Sequence, residues 1–242
     1  MRKIGLQLYS VREELANNYE ETIRKVADMG YTVLEPAGFP GSTMQKAIKL
    51  FNELNIKTES FHGALPIGDD KNQTIEQALA LGAKYIGTGF GANEFKTADS
   101  IKECADKFNQ ATENIKKHGL KMVYHNHWWE METVDGQIAY RIFKEAAVAD
   151  VCFELDIYWI QTGGQNVVDV ITEIGERAPV LHIKDGPCDK DLAMTAVGAG
   201  KVDIKAAVQA SNADLLIVEM DRCDTDTLTA IKESYDYLNS II

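Results

Sequence analysis

Met122-Val123-Tyr124-His125-Asn126-His127-Trp128-Trp129-Glu130 starts as a short apolar run with strand character and then breaks into two histidines, an amide, two tryptophans and a carboxylate. Polar groups are a costly way to finish a strand unless its end faces a site. Moving outward in both directions, the same rhythm recurs: a short apolar run, a turn, a longer stretch of helical spacing, then another apolar run. The candidate strands are 3–9, 32–35, 57–62, 84–88, 121–125, 151–156, 180–184 and 215–219. The intervening amphipathic stretches are 19–29, 43–54, 73–81, 98–118, 137–147, 167–174, 204–210 and 227–238. In the fourth of these, Ile101, Ala105, Phe108, Ala111 and Ile115 recur at three and four, as one face of a helix requires. Gly30, Gly82 and Gly119 sit where helices should stop, each closely followed by the next strand.

Strands that alternate with helices imply a parallel sheet with crossover helices. Eight such units in 242 residues predict a (β/α)8 TIM barrel forming a single α/β domain over residues 1–242. An open doubly wound sheet is the competing architecture, but no GxGxxG follows the first strand.

Composition narrows the partners. Thirty-seven acidic residues against 25 basic give a net charge of −12, which argues against a nucleic-acid partner, because such proteins present a basic face. No run approaches the roughly 18 apolar residues of a membrane span, and the apolar part of MRKIGLQLYS is too short for a signal peptide. The expectation is a cytoplasmic protein with a small-molecule substrate and no membrane partner. Cys104, Cys152, Cys188 and Cys223 show no paired spacing and read as reduced thiols.

Side chains alternate along a strand, so one inward residue fixes the rest of its face. In Val151–Asp156, apolar Phe153 and Leu155 suit the helix-facing side, which turns Asp156 inward. By the same parity His182 and Lys184 turn inward on the seventh strand, Glu219 on the eighth, Gln7 on the first and His62 on the third. Barrels of this kind do their chemistry at the C-terminal mouth. A lone histidine at a strand end is more often a hydrogen-bonded core group than a ligand. Here His62, His125, His127 and His182 all fall at strand ends, together with Asp156 and Glu219. Asp156, His182 and Glu219, from three successive strands, suit one divalent ion such as Mn, Mg, Co or Zn with positions left open for substrate. The competing reading of the acids is a structural ion pair with a residue such as Lys184.

Several stretches in order, Gly5–Arg12, Gly30–Glu35, Ser60–His62, Tyr124–His127 with Glu130, Phe153–Trp159, Leu181–Asp185, Gly198–Gly200 and Val218–Asp221, resemble the sugar phosphate isomerase/epimerase superfamily. These are the xylose isomerase-like TIM barrels, which also include endonuclease IV and inosose dehydratase, and the chain looks most like the subgroup with YHNH on the fifth strand. The resemblance implies a metal held by Glu, Asp, His and Glu from strands five to eight, with the two glutamates moving the proton. It carries over at Asp156, His182 and Glu219. It departs at the fifth strand, where His125 replaces the glutamate; we expect His125 as a ligand and His127 and Glu130 as substrate contacts. A metal-bound imidazole is a different base from a glutamate.

The reaction these readings imply is proton removal beside a sugar or keto-sugar carbonyl, with Glu219 or Glu35 as base and Lys184 or His62 polarising an oxygen. Gln7 and Trp159 would contact substrate. Isomerisation, epimerisation and β-elimination by a lyase or dehydratase all remain open. An endonuclease IV-like nuclease would need more histidines and a basic face, and a sugar-binding barrel without turnover stays an alternative. Relatives are usually homo-oligomers.

Overall fold

The computed structural model describes residues 2–242. Eight parallel strands with helices between them form a nearly closed TIM barrel. We number the barrel strands β1 (Lys3–Gln7), β2 (Val33–Glu35), β3 (Ser60–His62), β4 (Tyr85–Thr88), β5 (Lys121–His125), β6 (Cys152–Asp156), β7 (Val180–Ile183) and β8 (Leu215–Val218). Hydrogen-bonded order runs β2-β1-β8-β7-β6-β5-β4-β3, so β2 and β3 are the two ends of the sheet. A single parallel bridge, Val33 to Lys57, joins them.

The helices are α1 (Arg12–Asp28), α2 (Met44–Glu53), α3 (Lys71–Leu81), α4 (Ala98–Lys116), α5 (Ala139–Ala146), α6 (Ile157–Thr162), α7 (Val167–Ile174), α8 (Ile204–Ala210) and α9 (Thr227–Ile241). Each lays an apolar stripe on the sheet. In α4 the stripe is Ile101, Cys104, Ala105, Phe108, Ala111 and Ile115, and the start is fixed by a reciprocal Thr97–Ser100 capping box. No helix among the described residues is long and apolar enough to cross a membrane.

Three boundaries differ from the sequence expectation. Helix α1 begins at Arg12 rather than Tyr19, because residues 12–18 bury only Leu15 and carry no apolar period; the two parts meet at a kink where Asn18 has φ −154° and ψ 88°. Residues 137–138 pair with Thr133–Val134 as a small antiparallel ribbon around Asp135 and Gly136, both at positive φ, before α5 starts. The short α6 follows β6 directly, capped by the Asp156 carboxylate, which accepts from the backbone N–H of Trp159 at 3.0 Å.

Two clusters bury the apolar side chains. One fills the space between sheet and helices, and holds Tyr124, Phe153 and Leu155. The other plugs the barrel itself with Val33, Val123, Cys152, Val180, Leu215 and Ile217. Those interior residues have the parity of Glu35, His125, Glu154, Asp156, His182 and Glu219, which therefore stack toward the mouth above the plug. The register of β5 is thus the one expected, with His125 inward and Tyr124 outward.

Candidate functional site

The C-terminal mouth opens into a cavity of about 1030 Å³. Gln7, His62, His125, His127, Trp128, Trp129, Trp159, Glu219 and Asp221 are on its wall and floor. His127 stacks on Trp129, with ring centroids 4.2 Å apart and planes at 11°, and Trp128 lies against Trp159 at 4.9 Å. One side is therefore a continuous aromatic wall, and the opposite rim carries Arg12, Lys190 and Arg222. The guanidiniums of Arg12 and Arg222 donate to backbone carbonyls of the neighbouring loops.

Beneath the floor the inward polar residues form one buried network. The imidazole of His182 lies between Glu219, 2.7 Å from Nδ1, and Glu35, 2.7 Å from Nε2. Gln7 donates to the same Glu35 oxygen at 2.8 Å. Glu154 faces imidazole nitrogens on three sides: His62 Nε2 at 2.5 Å, His125 Nδ1 at 3.2 Å and His182 Nε2 at 3.3 Å. Lys184 is 1% exposed and points its ammonium at Asp156 (3.0 Å), Glu219 (2.8 Å) and Asp221 (2.8 Å).

The charges follow from these contacts. Burial pushes the Lys184 ammonium down, but Asp156, Glu219 and Asp221 together hold it well above the usual lysine range. Burial likewise raises Glu219, and Lys184 and His182 outweigh it, so its carboxyl stays well below the ordinary range and ionised. Asp156 is pushed up to about 6 by burial, against the opposing pull of Lys184. Glu35 is raised by burial and by the charge of Glu154. His62, despite burial, is raised to about 8 by Glu154 and Glu35, whereas burial holds His125 well below the usual range and hence neutral.

Three of the expected site residues, Lys184, Glu130 and Glu35, do not line the cavity. Lys184, expected to polarise a substrate oxygen, does not reach the cavity, and its ammonium faces three carboxylates instead. Glu130, expected to touch substrate, is fully buried and accepts from the Tyr124 hydroxyl at 2.7 Å and the His127 backbone N–H at 2.8 Å. It shapes the turn that presents His127. Glu35, expected as a base, is also fully buried below the floor; Asp156, expected as a metal ligand, is buried there too, within a group of converging donor atoms. Gln7, His62, His125, His127, Trp159 and Glu219 do line the cavity.

Glu154, which shares the parity of Asp156, is not among the site residues expected from sequence, yet it stands among three imidazoles. Nor does the sequence single out Asp221, two residues beyond Glu219, which contacts Lys184 at 2.8 Å. Asp185 accepts from the backbone N–H groups of Gly186, Gly198, Gly200 and Val202, at 2.8 to 3.1 Å, and so folds the loop after β7. A Cβ at Gly200 would stand 2.1 Å from the Asp185 carboxylate, which accounts for the glycine. Asn126 clamps β5 to β6, accepting from the Asp156 N–H at 3.0 Å.

The donor atoms suit a divalent ion. Two sets of side chains each bring their ligand atoms within 4.8 Å of one another: His125, Asp156, His182 and Glu219, and His62, His125, Glu154 and His182. Buried atoms of both sets, His125 Nδ1, Glu154 Oε1 and Asp156 Oδ2, have ion-pair neighbours at 3.0 to 3.3 Å but make no well-aligned hydrogen bond in the protein. Imidazole and carboxylate together are a usual donor set for Zn, Co, Mn or Fe.

Comparison with known proteins agrees with the architecture. The family model described as xylose isomerase-like TIM barrel matches residues 23–241. A sugar phosphate isomerase/epimerase from Parabacteroides distasonis superposes with a TM-score of 0.84 at 25% identity, over 99% of this chain and 98% of that one. The IolI protein with a bound zinc atom superposes at 0.77 and 15% identity, over 99% and 97% of the two chains. The probable 3-DHS dehydratase AsbF from Bacillus anthracis gives 0.76 at 14% identity, over 98% of each chain. At such identities the last two speak for the fold alone. No curated protein sequence matches the chain.

Proposed function

Because the chain belongs to the xylose isomerase-like TIM barrel family, we propose that it is a divalent-metal-dependent sugar isomerase or epimerase, which removes a proton beside the carbonyl of a sugar or keto-sugar. The observation that carries this reading is the convergence of three imidazoles and four carboxylates under a cavity walled by aromatic rings. That combination suits a neutral polyol with one acidified carbon. His125 and His182 belong to both converging sets, which supports these two imidazoles as ligands of the ion; the family pattern would add Asp156 and Glu219. A bound Zn, Co, Mn or Mg ion supplies a Lewis acid that draws charge toward the carbonyl and the neighbouring hydroxyl.

The chain's own residues supply the rest. Glu219 is ionised and reaches the cavity, so it is the carboxylate positioned to take the proton. Glu35, behind Gln7 and His182, orients that imidazole and carries no proton to substrate directly. His62 and His127 present ring nitrogens to the substrate oxygens, and Trp159 with Trp128 and Trp129 covers an apolar sugar face and excludes water.

A second reading, β-elimination by a dehydratase or lyase of the same superfamily, is favoured by one observation. Where an epimerase needs a second carboxylate on β5 to return the proton, this chain has the neutral imidazole of His125. The resemblance to a probable dehydratase is consistent with it. The partner in either case is a small sugar, with no nucleic acid or membrane involved.

Incubation of the metal-loaded protein in D2O with ketoses, 3-keto-glycosides and inososes tests both readings. Deuterium at the carbon next to the carbonyl is the expected result, with loss of a hydroxyl or glycosyl group marking the lyase. Both should fall by at least about a hundredfold in His182→Ala and Glu219→Gln. Full activity in those variants would sink the proposed site.

A further inference from the structure

The two converging ligand sets share His125 and His182, so one ion cannot be fully served by both. They differ in what already neutralises them. In the Asp156 set, the Lys184 ammonium stands 3.0 Å from Asp156 and 2.8 Å from Glu219, and a third carboxylate, Asp221, lies at 2.8 Å. A divalent ion there would be held beside a buried, permanently charged ammonium, and the repulsion between the two in a medium of low polarity is severe. In the other set no lysine or arginine intrudes. Glu154, fully buried, faces three imidazole nitrogens, yet neither its Oε1 nor His125 Nδ1 makes a well-aligned hydrogen bond.

His182 points the same way. Its Nδ1 lies 2.7 Å from Glu219, the arrangement in which a carboxylate orients a ring and fixes its tautomer, leaving Nε2 as the coordinating atom. That Nε2 lies 2.7 Å from Glu35 and 3.3 Å from Glu154, on the side of the second set. The backbone has been cleared for the approach as well. A Cβ on Gly87 of β4 would lie 2.6 Å from the His62 ring and 3.1 Å from Glu154 Oε2, so only glycine lets these two groups meet.

We propose that the divalent ion binds on His62, His125, Glu154 and His182, while the ammonium of Lys184 fills the Asp156–Glu219 position as a built-in cation. This rests on the metal dependence proposed above and specifies its ligands. Glu219 is then free of the ion, orienting His182 and facing substrate. Three imidazoles and one carboxylate select Zn2+ or Co2+ over Mg2+, which prefers oxygen donors.

Zinc and cobalt chloride titrations into the chelator-stripped full chain, read by bound metal per chain and by the cobalt absorption spectrum, test the assignment. The unsubstituted protein should take up one ion, unaffected by millimolar magnesium. Glu154→Gln and His62→Phe should weaken cobalt binding by at least about a hundredfold, and Asp156→Asn by less than about tenfold. Asn at 156 keeps the oxygen that caps α6, and position 62 is partly exposed, so both variants retain the fold; circular dichroism of each confirms that a lost site is not a lost structure. Binding lost in Asp156→Asn but kept in Glu154→Gln and His62→Phe would overturn the assignment and leave metal dependence standing. No uptake of either metal by the unsubstituted protein would overturn both.

Discussion

Tyr124 and His125 are neighbours on one strand with opposite fates, and parity alone separates them. Tyr124 turns into the helix layer, 2% exposed, and His125 turns into the barrel. That much was legible, because period-2 alternation is local. Which inward residues meet was not legible, because cross-strand neighbours depend on the shear of the barrel: Glu154 stands beside His125 in β5, while Asp156 stands beside His182 in β7. Hence Glu154 did not stand out in the sequence, although it faces three imidazoles. Glu130 was misread for a related reason: its closeness to His127 in sequence suggested a shared cavity, but it turns back to bond the Tyr124 hydroxyl and the His127 N–H. Removing the hydroxyl leaves a buried carboxylate oxygen without its donor. Tyr124→Phe should therefore lose about 1–3 kcal/mol of stability, seen as a lower urea midpoint at unchanged slope. An unchanged midpoint would mean that this bond contributes nothing.

Among the elements, the helices were read more securely in their middles than at their ends. The apolar stripe of α4 is long enough to declare itself, whereas the first turns of α1 and all of α6 owe their existence to contacts distant in sequence or to a cap. The contact between α5 and α7 illustrates a further element-level effect. Glu173 of α7 accepts from the Tyr140 hydroxyl at 2.6 Å and from Arg141 at 2.8 Å, and it pairs with Lys144, all three on α5. Burial raises its carboxyl, but Lys144, Tyr140 and Arg141 together outweigh that and bring it from 4.5 to about 2. A carboxylate whose folded-state value is lowered stabilises fully above its unfolded value, and loses that contribution as pH falls toward the folded one. The stabilisation should thus be present at pH 7 and decay between about pH 4.5 and pH 2. Because the group is partly exposed, its size is about 1 kcal/mol after screening. Glu173→Gln should be less stable than the unsubstituted protein by that amount at neutral pH, with the gap closing in acid. A gap that persisted unchanged at pH 2.5 would refute the assignment.

Across the whole molecule, the barrel is not equally closed all round. Between β1 and β8, four consecutive residues pair, but β2 and β3 meet through Lys57 alone, whose N–H reaches Thr32 and whose carbonyl receives Leu34, each at 2.9 Å, with the His62 N–H reaching Pro36 at 2.8 Å. Pro36 ends β2 and offers no donor, so the ladder cannot extend. The site lies across this seam: Glu35 on one side and His62 on the other are joined through His182 and Glu154. Sequence could give the number of strands and their order, since both follow from counting βα units, but not where closure is thin, which depends on how few residues of 32–36 and 57–62 come into register. Local opening should start there, because backbone bonds with few neighbours open at the lowest cost. In hydrogen exchange under native conditions, the amides of Leu34, Lys57 and His62 should exchange well before those of Leu6 and Leu216 in the β1–β8 pair. Equal protection of the two sets would show that the buried polar network, rather than the strand ladder, closes the barrel.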